Sequence, residues 1–520
     1  MSESSTDIKF AQRFSSNLFS NIAYFVVNII IGLLLTPYFL DTLGQSAYGL
    51  IPLATSITSY VTLVIDALNT SISRYLTIDI QRGDFAKANV TFNSALFGTL
   101  AVIIILIPIA LVFAWFTPNI FHIGTQSAIS VFILFSLIFG SVLVRAWSSN
   151  FMVTLFARNR LDLRNYVNII NIVSQVFFIV LLFTIFSPSL ISVGVAYISA
   201  AVLSLLIAYI FSRKVCTYLH ISIRSFSRTC LKEIGGMSVW VLINGVTLLL
   251  NTQIALILVN IMCGEVANTE YSLAATWASL LISISSLLTN LFVPMIYSLF
   301  SLGKRDELIE FTSSVLKIVG ILMALPVGLV CIFSSQLLTI WVGEEYAYLA
   351  PLMWITVAPV LLQIMVHCIS PITVSFNRVR GLVLWTLPIG VLNLLLAIWI
   401  PRTFHNGIYG IALAGMITLF LRYAILNPVY IARVIQVSTF YYMKKMIPCY
   451  MAFIILFGFG LVLTHFISID GLIPVIIAGC VISMVYILIV PRLTLTKPEK
   501  SVIKNSLSNL ILRKIANIII

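Results

Sequence analysis

Uninterrupted apolar runs of 18 or more residues recur from one end of this sequence to the other. Each is long enough to cross a hydrocarbon layer of about 30 Å as a helix. In that layer only helices and closed barrels satisfy their own backbone hydrogen bonds. A transmembrane barrel needs strands that alternate apolar and polar residues, and these runs do not alternate. An all-α polytopic membrane protein is therefore expected. Composition excludes the soluble alternative, because 60% of the 520 residues are hydrophobic and 9% are charged, against about 25% charged in an ordinary soluble domain.

Fourteen spans are expected, at about 17–40, 46–68, 89–113, 127–155, 165–187, 189–212, 235–262, 270–299, 310–334, 347–370, 380–400, 407–432, 446–467 and 471–491. The first run is too long for a signal peptide and has no small-residue cleavage site after it, so it reads as a retained span. With the N-terminus in the cytoplasm, 26 of the 30 Lys and Arg residues fall in cytoplasmic segments. Arg402 alone falls outside, and Arg145, Lys317 and Arg422 lie within spans. That alternation accounts for the net charge of +13 as membrane topology with both termini inside, and not as a nucleic-acid surface. After Pro498, apolar residues at three- and four-residue steps with Lys504, Arg513 and Lys514 among them predict an amphipathic helix on anionic lipid. The seven cysteines are scattered singly, so neither a disulfide framework nor a metal site is expected.

The chain shows signs of duplication. Leu43-Gly44, a span and Arg82-Gly83-Asp84 in the first half match Cys263-Gly264, a span and Gly303-Lys304-Arg305-Asp306 in the second, with equal Gly-to-Gly separation. Spans 1–6 (residues 1–212) then pair with spans 7–12 (213–440). Spans 13 and 14 (441–491) and a cytoplasmic tail (492–520) are added. An even number of spans per half gives parallel repeats, with a cavity between them.

No GxxxxGK[ST], HExxH or GxSxG motif occurs, so neither ATP hydrolysis nor hydrolase chemistry is expected. Ionisable residues inside spans mark pathways in membrane proteins, because a charge at mid-bilayer costs about 2.5–3.5 kcal/mol on insertion scales. Arg145 and Arg422 are expected to line a cavity, in preference to pairing with backbone carbonyls. Asp66 reads either as a cavity residue or as an interfacial partner near the end of span 2. Lys317 is expected to snorkel to the interface. A cavity with fixed guanidinium groups attracts anions and suits phosphate through bidentate hydrogen bonds. Asn168, Asn171 and Gln175 share one helix face, and Asn244, Asn251 and Gln253 lie in span 7; such amides either glue helices together or line a wet cavity suited to sugars.

Thr36-Pro37-Tyr38, Leu43-Gly44 and Ala47-Tyr48-Gly49-Leu50 resemble the opening of bacterial polysaccharide flippases of the Wzx type. These belong to the MOP superfamily with MATE multidrug exporters and lipid II flippases. The likeness runs on through Asp66, Arg74, Arg82-Gly83-Asp84, Asn159-Arg160, Asn165 and Trp341-Val342-Gly343. Where that family has an Asp-Leu-Gly-Leu-like segment, this chain has Asp66-Ala67-Leu68-Asn69. The resemblance implies two six-helix lobes and alternating access without an organic cofactor, coupled to membrane potential or to H+ or Na+. It implies that the substrate is an undecaprenyl-diphosphate-linked oligosaccharide, an O-antigen, capsule or exopolysaccharide unit. It also implies a bacterial inner-membrane location, contact with membrane lipids, and a polysaccharide polymerase and chain-length regulator as partners, with spans 13 and 14 lining a groove for the lipid tail. A MATE-like exporter of cationic drugs is the alternative. A polytopic polymerase or ligase ranks third, because no external loop is long enough to carry its active site.

Overall fold

The computed structural model of the chain describes residues 3–235, 242, 245, 249, 253–376, 378–466, 469 and 471–496. Among them every regular element is helical, and twelve helices are long and apolar enough to cross a membrane. The seventh expected span falls largely outside the described residues, which retain helix Ile254–Cys263. In the region of the eighth stands the 37-residue helix Glu265–Ser301. The expected tail helix lies outside the described residues. The chain divides into two compact units, Met1–Thr269 and Glu270–Ile520.

The first unit contains α1 (Glu3–Leu43), α2 (Gln45–Gln81), α3 (Phe85–Ile120), α4 (Ala128–Ala157), α5 (Leu161–Ile185) and α6 (Leu190–Val215). Asp84, Ser127 and Ser189 cap α3, α4 and α6 by accepting the backbone N–H of Lys87, Ser130 and Ser192 at 2.9, 3.1 and 3.2 Å. Two helices outrun their expected spans. α2 continues well past residue 68, because Ile72, Leu76 and Ile80 extend its apolar stripe at every fourth position and are buried. Arg74 therefore sits on a helix and not in a loop. Arg164 likewise belongs to the first turn of α5.

Helix α4 is the centre of this unit and packs against α2, α3 and α6. Close approach to α6 is possible because Ser192, Ala196, Ala200, Ser204, Ala208 and Ser212 recur every fourth residue and are all buried. In a lipid environment apolar side chains gain little by leaving the solvent, so such small-residue stripes and their hydrogen bonds hold helices together. The hydroxyls of Thr154 and Ser212 meet across this contact at 2.7 Å.

Beyond α6 the chain is strapped along the start of α3. Asn89 Oδ1 accepts from the His220 N–H at 2.9 Å, and Asn93 Oδ1 accepts from that of Ser222 at 2.8 Å. Asn93 Nδ2 donates to the His220 carbonyl at 2.8 Å, and Ser94 Oγ accepts from the Ser227 N–H at 2.8 Å. The strap shields Cys230, and burial pushes its thiol above the ordinary pKa.

In the second unit, helix Arg305–Ile332 packs against Tyr441–Phe466, with Thr312 and Tyr442 hydroxyls 2.8 Å apart. Lys317 does not snorkel: it lies on this central helix and is only 5% exposed. The tenth expected span is broken into Ala350–Val357, Val360–His367 and Pro371–Ser375, with Pro359 and Pro371 at its breaks.

The expected repeat has a local structural counterpart. α2 and Glu265–Ser301 are both 37 residues long. Gly83 (φ 74°) and Gly303 (φ 69°) end them in the left-handed region that favours glycine. The N–H groups of Gly83, Asp84 and Phe85 bond the carbonyls of Ile80, Asp79 and Gly83, and those of Gly303, Lys304 and Arg305 bond Phe300, Leu299 and Gly303 in the same pattern.

Candidate functional site

A cavity of about 280 Å³ opens within the first unit, among α1, α2, α4 and α5, with Ser204 of α6 also in its lining. Helix periodicity delivers its polar wall. α2 places Thr62, Asp66, Asn69 and Ser73 on one face, and α4 places Arg145, Ser148 and Ser149. α5 contributes Arg164, Asn168 and Asn171, and α1 contributes Tyr24. Four residues expected from sequence, Asp66, Arg145, Asn168 and Asn171, are thus brought together.

The cavity holds two guanidinium groups against one carboxylate. Arg145, Arg164 and Asp66 are all exposed to it, and the charges of Arg164 and Arg145 both act on Asp66. Among the described residues no ion pair within 4.0 Å joins either arginine to Asp66. The net local charge is therefore positive. Arg164 lies with its guanidinium carbon 5.9 Å from the centre of the Phe156 ring, which also lines the cavity. The Ser148 hydroxyl is buried and has no hydrogen-bond partner.

Neighbouring amides brace this wall. Asn171 Nδ2 donates to Ser204 Oγ at 3.4 Å, and Ser149 Oγ donates to Asn69 Oδ1 at 2.8 Å. At the start of α5, Asn165 Nδ2 donates to Asn21 Oδ1 and Ser20 Oγ at 2.7 and 3.0 Å. Asn17 Oδ1 accepts the Asp162 N–H at 3.0 Å, and its Nδ2 reaches Asn159 Oδ1 at 3.2 Å. Asn159 and Asn165, part of the family-like stretch, thus fasten α1 to α5. Arg160 closes the junction on Asp162, and that hydrogen bond raises the already high pKa of its guanidinium.

Other expected residues lie elsewhere. Gln175 is hydrogen-bonded to Tyr197 and is not part of the cavity lining. Arg74 is exposed on α2, outside the lining. Gln253 precedes helix Ile254–Cys263, and its carbonyl accepts from Ser56 at 3.3 Å. Asn244 and Asn251 lie outside the described residues. Arg422 belongs to the second unit and is 6% exposed. Arg164 and Asn69 were not singled out from sequence. Arg164 had a readable signal, because it stands four residues before Asn168 on the same α5 face.

Residues 14–300 match the family described as polysaccharide biosynthesis protein. The membrane protein EpsK of Bacillus subtilis (strain 168) is 26% identical over 494 residues, covering 94% of this chain and 97% of that protein. Among solved structures, an inward-facing multidrug resistance MATE family transporter of the MOP superfamily superposes with a TM-score of 0.64 at 12% identity, over 83% of this chain and 95% of that one. The lipid II flippase MurJ, in an inward closed conformation, superposes with a TM-score of 0.63 at 13% identity, over 91% and 99%. These likenesses show that the chain shares the fold of those two proteins.

Proposed function

Because the chain belongs to the polysaccharide biosynthesis protein family, we propose that it moves an undecaprenyl-diphosphate-linked oligosaccharide, the repeat unit of a surface polysaccharide, from the cytoplasmic to the outer leaflet of the bacterial inner membrane. The observation that carries this reading is the cavity with Arg145 and Arg164 set against the single carboxylate of Asp66. Guanidinium groups keep their charge at any working pH and bind phosphate oxygens through paired N–H donors. They suit the diphosphate. The amides of Asn69, Asn168 and Asn171 and the free Ser148 hydroxyl suit the sugar hydroxyls next to it.

Transport proceeds by alternating access, and Asp66 is the cavity group suited to exchange H+ or Na+ for the anionic cargo. Its carboxylate faces the same two arginines, so protonating it raises the positive field that holds the diphosphate. A polymerase and a chain-length regulator act on the delivered unit. The same fold also occurs in a multidrug transporter, but a net-positive cavity repels cationic drugs.

The test is to replace Arg145 and Arg164 together by Ala, at matched expression, in the organism's own chromosome. We expect loss of surface polysaccharide and accumulation of the undecaprenyl-linked oligosaccharide on the cytoplasmic leaflet. Normal polysaccharide in the double variant overturns the reading. Unchanged polysaccharide together with new drug sensitivity in a deletion strain favours the exporter.

A further inference from the structure

In the second unit, helices Gly407–Phe420 and Asn427–Ile435 are joined by a π-turn, Leu421–Leu426. Arg422 stands in that turn and is 6% exposed. Its Nε and Nη1 are buried and carry no hydrogen bond among the described residues. The Tyr423 ring lies 5.3 Å from the guanidinium carbon and offers it a π-face, not an acceptor. Asn427, at the end of the same turn, leaves its Oδ1 buried without a donor.

The chain supplies no counter-ion nearby in sequence, because no Asp or Glu occurs between Glu345 and Asp470. None of the ion pairs among the described residues involves Arg422. A guanidinium cannot discharge by losing its proton. Left uncompensated in a low-dielectric interior, it costs several kcal/mol. Buried donors in folded proteins are almost always satisfied. π-turns within α-helices recur at functional sites, where the widened turn frees backbone and side-chain groups for a ligand.

We propose that Arg422 and its π-turn hold a small inorganic anion of halide size, together with a water of its hydration shell. The anion accepts from Nε–H and Nη1–H and neutralises the guanidinium. The water supplies the missing donor to Asn427 Oδ1. The site rests on Arg422, 6% exposed, and its own turn, and does not depend on the cargo proposed for the first unit.

Thermal unfolding of the purified full chain, in chloride against gluconate at constant ionic strength, tests the site. Wild-type protein is expected to gain a saturable upward shift in melting temperature with chloride, because a ligand that binds only the native state stabilises it. Val202→Leu, on the exposed face of α6, should keep that shift and Arg422→Met should lose it. An indifferent wild type, or an equal shift in Arg422→Met, overturns the proposal. A parallel arm uses inorganic phosphate. A phosphate response that Arg422→Met loses, without one to chloride, refutes a halide-sized site and indicates an oxyanion. If Arg422→Met does not fold, a wild-type structure determined in bromide decides. An anomalous peak within hydrogen-bond reach of Nε or Nη1 supports the site, and its absence there overturns it.

Discussion

Ser149 of α4 donates a 2.8 Å hydrogen bond to Asn69 Oδ1 of α2, at the edge of the cavity that holds Arg145. The bond ties together the two helices that carry Arg145 and Asp66. Asn69→Leu removes the acceptor while keeping the same branched four-atom skeleton. The expected cost is about 0.5–1.5 kcal/mol, read as a lower melting temperature in detergent, together with reduced polysaccharide export. An unchanged melting temperature shows that the bond does not brace the wall.

Among the described residues Asp66 is the only carboxylate lining the cavity, and the charges of Arg164 and Arg145 act on it. Asp66→Asn removes its repulsion of an anion without changing shape. Binding of inorganic diphosphate to the purified variant, followed by calorimetry, is expected to tighten by about 3- to 10-fold, from unit charges about 3–6 Å apart at a water-like dielectric near 80. Weaker binding contradicts the assignment of Asp66 to the anion's surroundings.

Ala200 is 1% exposed in the small-residue stripe of α6, whereas Val202 on the same helix is 43% exposed. Ala200→Leu forces a branched side chain into the α4–α6 contact and is expected to destabilise by about 1–3 kcal/mol. Val202→Leu should be neutral. The measurement is the fraction of each variant recovered as monodisperse protein after heating in detergent.

Gly83 and Gly303 end 37-residue helices with φ of 74° and 69° and with matching turn hydrogen bonds. Gly83→Ala and Gly303→Ala each place a Cβ in the left-handed region, at about 1–2 kcal/mol. If the halves share one design, the two losses in thermal stability should be equal within error. A large loss at one site alone contradicts that equivalence.

The all-helical membrane fold was legible because its signal, long apolar runs between basic connections, is coarse and repeated. The Gly44–Gly83 and Gly264–Gly303 spacing also exposed the paired turns. Hydropathy stopped reading a helix at its first charges, so Arg74 and Arg164 looked like loop residues although α2 and α5 include them. Residue type and position within a span pointed to Asp66, Arg145, Asn168 and Asn171, which line one cavity. Arg422 met the same sequence criterion and stands in a π-turn of the second unit, 6% exposed. Asn159 and Asn165 carried the family likeness and fasten helices, which a motif alone does not distinguish from binding.

The most direct test of the central claim is the rate at which purified protein in lipid vesicles flips a fluorescent undecaprenyl-diphosphate oligosaccharide. Wild-type protein should flip it, and the Arg145→Ala, Arg164→Ala double variant should do so about 100-fold more slowly, the loss of two charge-assisted hydrogen bonds of about 1.5 kcal/mol each. A double variant that flips the lipid at the wild-type rate contradicts the account.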